Sequence, residues 1–543
     1  MNVSLYTIVV VIIYLIITAF LGFLGYRNTK NARDFLLAGR KTHPLIMALS
    51  YGATFISTSA IVGFGGLAAT MGLGLLWLTF LNILMGIFIA FIFFGKRTRR
   101  MGQTLDAHTF PELLSLRFDS KFIQGFSGIL IFLGMPIYSA SVIKGGAYFL
   151  ESYFSIPYTT SLLFFVAVVA VYVCVGGLKG VMYTDAFQGL IMFASIIFLV
   201  IFTYSKLGGV ISAHRQLSDL FTKPEVQQSI AKSIAGGFNG WTSMPAMGSP
   251  MWWGLVSTIV AGVGIGVLAQ PQLVVRFMTV KSDRELNRAV LSGGVFILAM
   301  TGFSFVIGGL TNVLFFNDMG KTAIEAAGGV NDKIIPTFIA AYVPEWFAAI
   351  FLICMLAAAM STLSSQFHTM GTAAGRDLYE KTFNGKGNST IITRVGMLVT
   401  ILISTVIAWS TITMPVFEGI IAKFTSVFFE LASATFLPVF IGALYFRKMP
   451  KKATLGGMIA GSVSWFVWVF FVHSNAAFFQ ICRLLTGKDS LVLGTKLAPL
   501  MNVGTTFVAL PVAILATIIL WVANSKNIGL SKEYIDHCFE GIK

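Results

Sequence analysis

The sequence predicts an all-α integral membrane protein with about thirteen transmembrane helices, each near the 20 apolar residues that a bilayer requires. Of its 543 residues, 56% are hydrophobic and only 11% are charged, and the mean hydropathy is +0.82. A water-soluble domain needs far more polar surface than this. Lipid admits helices or closed barrels, and the apolar residues form continuous runs rather than the alternation of barrel strands. Helices are therefore expected.

The apolar runs follow one another along the whole chain, so that we expect one transmembrane domain, 1–543, although the length alone would suggest several soluble domains. The predicted spans are residues 4–25, 44–69, 73–95, 121–150, 159–178, 182–206, 250–277, 288–316, 343–371, 391–412, 415–446, 452–473 and 500–523.

The net charge of +16 indicates orientation rather than a nucleic-acid partner. Most Lys and Arg residues lie in alternate, mostly short loops, such as 96–100 and 447–452, as the positive-inside rule requires. No basic residue precedes the first apolar run, which argues against a signal peptide. We expect a multi-pass protein of the cell membrane, with its N-terminus outside and its C-terminus in the cytoplasm. Scattered Cys and His residues predict neither a disulfide framework nor a metal cluster.

The ten spans after the first divide into two groups of five, residues 44–206 and 250–446, and 452–523 forms two C-terminal helices. Five is odd, so the second group enters the membrane from the opposite side. This pattern predicts an inverted-topology repeat, as in many secondary transporters. The polar insertion 207–249 lies outside in this topology.

The opening helix of each half is expected to be interrupted. The first contains the polar run 50–59, followed by further glycines, and the second contains Gly262-Val-Gly-Ile-Gly266 and then Gln270-Pro271-Gln272. Breaks at matching positions point to a binding site, because unwound backbone exposes carbonyls to a cation. The alternative is that the glycines only permit close helix packing.

Five segments carry a family resemblance, and they occur in order along the chain: 34–40, 183–189, 270–278, 357–365 and 377–379. Together they resemble the sodium:solute symporter family, and its sodium/proline, pantothenate and monocarboxylate branch more than its sugar branch. The resemblance implies a LeuT-type fold, with five-plus-five inverted repeats and an extra N-terminal helix. It also implies alternating access, with import of a small organic solute and sodium as the co-transported ion.

A sodium site is predicted where hydroxyls and carbonyls converge, because hard cations prefer oxygen ligands. Ser361 and Thr362 are adjacent, and the carbonyl of Ala358 lies one turn earlier on the same helix face. The resemblance implies that the carbonyls of Ala53 and Ile56 complete the site. The alternative is that the two hydroxyls only bond back to carbonyls one turn earlier.

Asp185 has two readings at the predicted cytoplasmic start of span 182–206. As an N-cap it would only begin the helix. The resemblance implies a role near the inward exit path of sodium, where a carboxylate attracts the ion. One role does not exclude the other.

The solute site is less well defined by the sequence. The resemblance implies that Thr79, with Asn82 one turn on, stands where sugar carriers present a glutamate, which argues against sugars. Val263 and Val267 stand where proline carriers have aromatic residues, which argues against a proline-like pocket. Further candidates at the two breaks are Thr54, Phe55, Ser57, Thr58 and Gly264.

Lys144 lies inside an apolar span, where a cation is costly and usually functional. It could bind a solute carboxylate, pair with Glu430, or extend its ammonium to the outer surface; Lys423 has the same choices. A small, mostly uncharged pocket beside helix N-termini favours a small carboxylate or a neutral amino acid.

Other functions are less consistent with the sequence. It contains no HExxH or Walker A motif, and its glycine clusters lack the strand context of a dinucleotide site, so we do not expect an enzyme. A channel or substrate sensor on the same fold, or a sodium/sugar symporter, remains the alternative.

Overall fold

The computed structural model describes residues 5–27, 36–40, 42–175, 178–412 and 419–542, and the regular elements of these residues are helices. Eleven helices are long and apolar enough to cross a membrane, and a bent pair raises the count to twelve. The predicted span 159–178 corresponds to a helix with a shorter described apolar stretch, Tyr158–Ala170. The total of thirteen therefore stays a prediction.

The helices, in chain order, are α1 Leu5–Arg27, α2 Pro44–Phe55, α3 Ser59–Met71, α4 Leu73–Thr104, α5 Phe110–Phe118, α6 Lys121–Phe154, α7 Tyr158–Val175, α8 Leu178–Lys206, α9 Val210–Leu220, α10 Pro224–Ser229, α11 Ala231–Ala235, α12 Pro250–Ala269, α13 Pro271–Phe277, α14 Asp283–Met319, α15 Ala323–Ala326, α16 Ile334–Tyr342, α17 Glu345–Thr382, α18 Ser389–Ser410, α19 Ile420–Tyr445, α20 Lys451–Val472, α21 Ala476–Phe479, α22 Ile481–Thr486, α23 Thr506–Ala523 and α24 Lys532–Cys538.

The first predicted break lies between α2 and α3, whose axes are bent by 53°. Ile56 leaves the helical region, with φ −90° and ψ 105°, and Ser57 Oγ accepts the N–H of Ser59 at 3.1 Å. A side-chain hydroxyl thus replaces a helical acceptor at the point where the chain turns. Local hydroxyl chemistry, rather than glycine or proline, makes this break.

The second break occurs later than the glycine run had suggested. Residues 262–266 are helical within α12, and the chain becomes extended at Gln270, with φ −70° and ψ 116°. Pro271 follows, and proline disfavours the helical conformation of the residue before it. The expectation that Gly262–Gly266 interrupt the helix is therefore wrong, and the Gln-Pro pair makes the break.

The glycines of α12 serve close packing instead. A Cβ on Gly266 would lie 2.3 Å from the carbonyl oxygen of Phe429, and one on Gly264 would lie 2.7 Å from Cβ of Leu81. The backbone of α12 thereby approaches α19 and α4, as small residues in membrane helices allow.

Burial within the protein ranks the helices from centre to edge. In the apolar windows of α17 and α19, 94% of residues are buried inside the protein, against 17% for α1 and 22% for α23. α17 packs against α8, α6 and α2. Because α17 and α19 are covered on almost every face, their polar side chains meet protein partners rather than lipid.

The insertion 207–249 covers one end of α3. Trp241 Nε1 donates to the carbonyl of Ala69 at 2.7 Å, and the Leu73 N–H donates to the Trp241 carbonyl at 2.6 Å. A Cβ on Gly72 would fall 2.7 Å from that carbonyl oxygen. We call this side of the membrane outer, as the charge pattern predicts.

Candidate functional site

The first break and α17 meet through oxygen atoms. Ser361 Oγ lies 2.9 Å from the carbonyl oxygen of Ala53 and 3.3 Å from that of Ala358. Thr362 Oγ1 lies 3.0 Å from the carbonyl oxygen of Thr54 and 3.5 Å from that of Ala53. These five oxygens form what we call the oxygen cluster, and all of its residues are buried.

The spacing of the cluster is close to that of ligands around a small cation. Hard cations hold oxygens at roughly 2.3–2.6 Å, which places neighbouring ligands of an octahedral site about 3.4 Å apart. The hydroxyl–carbonyl distances are 2.9–3.5 Å. An ion would therefore replace direct hydrogen bonds after an opening of only a few tenths of an ångström. Among the described residues, no group of three or more His, Cys, Asp or Glu could hold a transition metal.

Ile56 differs from the other predicted ligands. It ends α2, and its N–H donates to the carbonyl of Gly52 at 2.8 Å. The contact of Thr362 is with the carbonyl of Thr54, two residues earlier. Whether these atoms, with Ile56, ligate sodium stays a prediction.

A buried ion pair adjoins the cluster. Arg276 on α13 and Asp185 on α8 are both fully buried, and their side chains meet at 2.9 Å. The same Arg276 nitrogen lies 2.5 Å from Thr54 Oγ1 and 2.6 Å from Ser365 Oγ. Ser50 Oγ donates to the carboxylate at 2.9 Å. One guanidinium thus ties α2, α8 and α17 together beside the cluster.

Asp185 is not an N-cap, because α8 begins at Leu178, two turns earlier. Its Oδ2 accepts from Arg276, Ser50 and Thr54, whereas Oδ1 has no hydrogen-bond partner. The carboxylate is therefore neutralised on one side and retains one acceptor. A direct role in sodium binding stays a prediction.

An aromatic group lies between the two breaks. The ring of Phe55 is 6.4 Å from that of Phe429, which is 5.3 Å from the ring of Tyr138. A Cβ on Gly86 would contact Val267 and the Phe55 ring. Phe429 and Tyr138 were not among the predicted site residues, because aromatic residues in apolar spans carry no local signal that separates a site from a core.

The predicted residues after the first break are bound to neighbouring helices. Thr58 Oγ1 donates to the carbonyl of Val142 at 2.7 Å. Ser59 and Ser141 hydroxyls lie 2.9 Å apart, and Ser141 continues to Thr425 at 3.0 Å. This hydroxyl chain joins α3, α6 and α19. The hydroxyls of Thr58, Ser59 and Ser141 therefore stabilise the packing of these helices.

Thr79 and Asn82 are buried on α4, and Thr79 Oγ1 and Asn82 Oδ1 each lack a hydrogen-bond partner. Asn82 lies one turn before Gly86, which faces Phe55 and Val267. Asn82 therefore shares the face of α4 that meets both breaks. Gly264, by contrast, is covered by Leu81.

Lys144 is turned toward the outer end of the molecule. Its Nζ donates to Thr411 Oγ1 at 2.6 Å and lies 5.1 Å above the Tyr148 ring. The predicted pairing with Glu430 is wrong, because Glu430 accepts from a backbone N–H of the segment before α23. Burial raises the pKa of Asp332, in the loop between α14 and α17, to about 6, and the charge of Lys144 opposes that rise. Lys423 is exposed, as expected of an ammonium at the surface.

The predicted site residues did not include Arg276, Ser50 or Ser365. Ser365 lies one turn after Ser361 and so shares its face. Arg276 carries the strongest signal, a charge in an apolar region six residues after the break at Gln270. An opposite charge in another span is its expected partner.

Comparison with known proteins identifies the family. The model of the sodium:solute symporter family matches residues 35–461. The high-affinity proline transporter PutP of Bacillus subtilis (strain 168) is 28% identical over 456 residues, which are 81% of this chain and 88% of that protein. The sodium/pantothenate symporter of Haemophilus influenzae is 26% identical over 466 residues, 86% and 90% of the two chains.

A solved structure supports the fold. The substrate-bound, outward-open structure of a Na⁺-coupled sialic acid symporter superposes with a TM-score of 0.70 at 18% identity, covering 96% of this chain and 98% of that one. At this identity the likeness concerns the fold alone. The architecture is the LeuT-type fold that the sequence predicted, whereas the repeat limits 44–206 and 250–446 stay predictions. The chain belongs to the sodium:solute symporter family, multi-pass membrane proteins that couple the transport of small organic solutes to sodium.

Proposed function

We propose that this protein imports a small carboxylate or amino acid together with sodium, by alternating access across the cell membrane. One observation supports sodium coupling above all others: the hydroxyls of Ser361 and Thr362 point at the carbonyls where α2 unwinds. A cation there would draw oxygens from two distant helices into one site. Ala53, Ala358, Ser361, Thr362 and Ile56 are its proposed ligands, with Asp185 beside them.

Sodium acts in this proposal by fixing α2 against α17. The oxygens of the cluster come from both helices, so an ion that binds all of them orders the first break. Thr54, Phe55, Ser57 and Thr58 lie in that break and would be positioned for the solute. Moving one positive charge down a membrane potential of about 100 mV supplies about 2.3 kcal/mol, which is roughly fifty-fold accumulation.

The proposed solute class combines the site with the relatives. The relatives described above are named for proline and pantothenate, and both molecules carry a carboxylate. Thr79 and Asn82 offer unpartnered polar atoms on α4 and no negative charge. Lys144 completes the proposed set, whereas Gly264, which Leu81 covers, is left out of it. Thr79 Oγ1 can donate a hydrogen bond to a solute carboxylate, and Asn82 Oδ1 can accept one from a solute amino group. This pair would suit an amino acid, whereas the glutamate that the resemblance places in sugar carriers is absent from α4.

Uptake into proteoliposomes tests the proposal. We would supply an inward sodium gradient and radiolabelled L-proline, L-alanine, lactate, pantothenate or glucose, with choline replacing sodium as the control. Accumulation of a carboxylate above its outside concentration, only with sodium, is expected. Equilibration without accumulation would indicate a channel, and binding without uptake would indicate a sensor.

Two substitutions locate the sodium site. Ser361→Ala and Thr362→Ala are each expected to raise the sodium concentration for half-maximal uptake about tenfold, since one ligand contact is worth about 1.4 kcal/mol. Ser404→Ala is the matched control, because its buried hydroxyl donates to the carbonyl of Thr400 on α18 and touches no part of the cluster. Unchanged sodium dependence in both cluster variants, with normal protein folding, would contradict the proposed ligands.

Lys144 needs a separate test, because its ammonium lies on Thr411 in this state. To meet a solute carboxylate, it would have to leave that hydroxyl. If the ammonium leaves Thr411 to bind the solute, Lys144→Met is expected to reduce the uptake of carboxylates more than the uptake of an uncharged solute. Equal uptake of every carboxylate by the variant and the wild type would leave Lys144 a structural role only.

A further inference from the structure

The sodium mechanism does not use Glu430, although Glu430 is a fully buried carboxyl on α19. Its Oε1 accepts the N–H of Thr505 at 2.9 Å, at the start of α23. The hydroxyl of Thr505 and the N–H of Thr506 also lie near this carboxyl, but neither Oε2 nor Thr505 Oγ1 makes a hydrogen bond of good geometry. A carboxylate anion usually collects several donors when it is removed from water. Here one oxygen has none.

No cation compensates this group in the described part of the chain. α3, α12 and α23 pack against α19 and contain no Asp, Glu, Lys, Arg or His. α4 and α5 also contact α19, but their Arg97 and Arg117 donate to the carbonyls of Leu444 and Ala443, at the far end of that helix. On α20 the only charged residues are Lys451 and Lys452, at the opposite end from the loop that leads to Thr505. On α6, Tyr138 meets the ring of Phe429 edge to face, and Lys144 donates to Thr411. Lys121 and Glu151 lie at the two ends of that helix.

The remaining basic groups are occupied or neutral. The ammonium of Lys144 is held by Thr411, and Lys423, on α19 itself, is exposed. His473 follows α20, and its Nδ1 accepts the N–H of Asn475 at 3.1 Å. Because both ring nitrogens of a charged imidazole are donors, this contact indicates a neutral ring. Among the described residues Glu430 therefore has no positive partner. It lies in the protein interior at membrane depth, where an isolated charge is strongly unfavourable.

A strip of polar groups leads from Glu430 toward the outer loop between α20 and α23. Ser257 Oγ accepts the N–H of Gly504 at 2.7 Å, next to Thr505. One residue on, Thr258 Oγ1 lies 3.3 Å from His473 Nε2. These contacts surround the Glu430–Thr505 contact with further buried polar groups, on the side of the loop between α20 and α23.

We propose that Glu430 is a reversible proton-binding site, so that this carrier binds a proton as a second cation, separate from the oxygen cluster. The carboxylate takes up one proton from the outer solution on Oε2 and becomes a neutral carboxylic acid, which can donate a hydrogen bond. Release reverses this step and returns the proton to the same side. No other bond is made or broken.

The bound proton has a structural consequence for α12. A Cβ on Gly262 would lie 3.2 Å from Glu430 Oε1, so that α12 rests directly on this carboxyl. A neutral acid tolerates the dry contact, whereas an ionised one favours water and separation of the two helices. Proton binding therefore favours the state in which α12 packs against α19. α12 precedes the second break, which couples this equilibrium to the proposed alternating access.

Infrared spectroscopy of the reconstituted protein tests protonation without any solute or sodium. The wild-type spectrum minus that of Glu430→Gln, at pH 7, is expected to show the C=O stretching band of one protonated carboxylic acid, shifted in D₂O. Glu430→Gln keeps an oxygen for the Thr505 N–H, and gel filtration verifies that it folds. Glu325→Gln, at an exposed acid of α15, is the matched control and is expected to lack the band in its own difference spectrum.

Reversibility decides between a proton-binding site and a permanently neutral residue. When the pH is raised stepwise, the band is expected to disappear and the carboxylate bands to appear, and lowering the pH is expected to restore the band. Glu430→Asp is expected to keep a titrating band at a shifted frequency. A difference spectrum with only carboxylate bands at pH 7 overturns the proposal, and so does a protonated band that persists until the protein unfolds.

Discussion

Removal of Arg276 is expected to destabilise the protein by roughly 3–5 kcal/mol, the usual cost of leaving one buried charge without its partner. The substitution is Arg276→Met, which keeps the length of the side chain and removes its charge. The ion pair spans 2.9 Å between fully buried groups, so that its Coulomb attraction is about 6 kcal/mol at an effective dielectric constant of about 20. Desolvation offsets part of this attraction in the wild type, but in the variant the desolvation of Asp185 is no longer compensated.

The double variant Asp185→Asn with Arg276→Met supplies the internal test. An uncharged amide can still accept from Ser50 and Thr54, which donate to the carboxylate in the wild type. The double variant is therefore expected to be more stable than Arg276→Met by about 2 kcal/mol, within the usual range of coupling between contacting residues. Reversible unfolding in a denaturing detergent, followed by tryptophan fluorescence, measures each free energy of unfolding.

An exposed ion pair provides the control. Arg483 and Asp489 lie 3.9 Å apart, with 64% and 47% of their side chains exposed, and Arg483→Met is expected to cost less than about 1 kcal/mol. A loss for Arg276→Met no larger than for Arg483→Met would refute the reasoning. The reasoning would also be refuted if the double variant lost as much free energy of unfolding as Arg276→Met and Asp185→Asn lose together when each is made alone.

Two further predictions concern packing and pH. Gly266→Ala is expected to destabilise the protein, because the new Cβ would lie 2.3 Å from a backbone carbonyl oxygen of α19. The control is Gly254→Ala on the same helix, whose new Cβ meets nothing within 4 Å and which is expected to be neutral or to stabilise by up to about 1 kcal/mol. Thermal unfolding of both variants checks this. Burial alone would raise the pKa of Glu112, but hydrogen bonds from His108 and Arg376 lower it to about 2. The unfolded chain therefore takes up this proton first, and stability is expected to fall as the pH decreases from about 4.5 to about 2, a loss that Glu112→Gln removes in unfolding curves recorded across that range.

The sequence was sufficient for what depends on local pattern. Long apolar runs predicted the helices, and the hydroxyl-rich run 50–59 contained the first break at Ile56. The adjacency of Ser361 and Thr362 predicted that both hydroxyls share one side of α17, and both in fact face the end of α2. These features follow from helical periodicity and backbone chemistry, which act over a few residues.

Other features depend on partners that local pattern does not reveal. Arg276 and Asp185 are 91 residues apart in sequence, so that only the folded helices bring them together. Whether Gly262–Gly266 unwind or pack depends on what lies opposite, and Phe429 and Leu81 lie there. Lys144 likewise donates to the hydroxyl of Thr411, just after α18, rather than to the acid on α19. Long-range packing decided each case.

Trp241 connects the outer insertion, residues 207–249, to α3, the helix that follows the first break. The indole N–H of Trp241 donates to the end of α3, and the Trp241 carbonyl accepts from the start of α4. A rocking motion of α3 must therefore move the insertion with it or break these contacts. A nanobody raised against residues 207–249 is therefore expected to slow transport, and in the predicted topology it would bind from outside the cell.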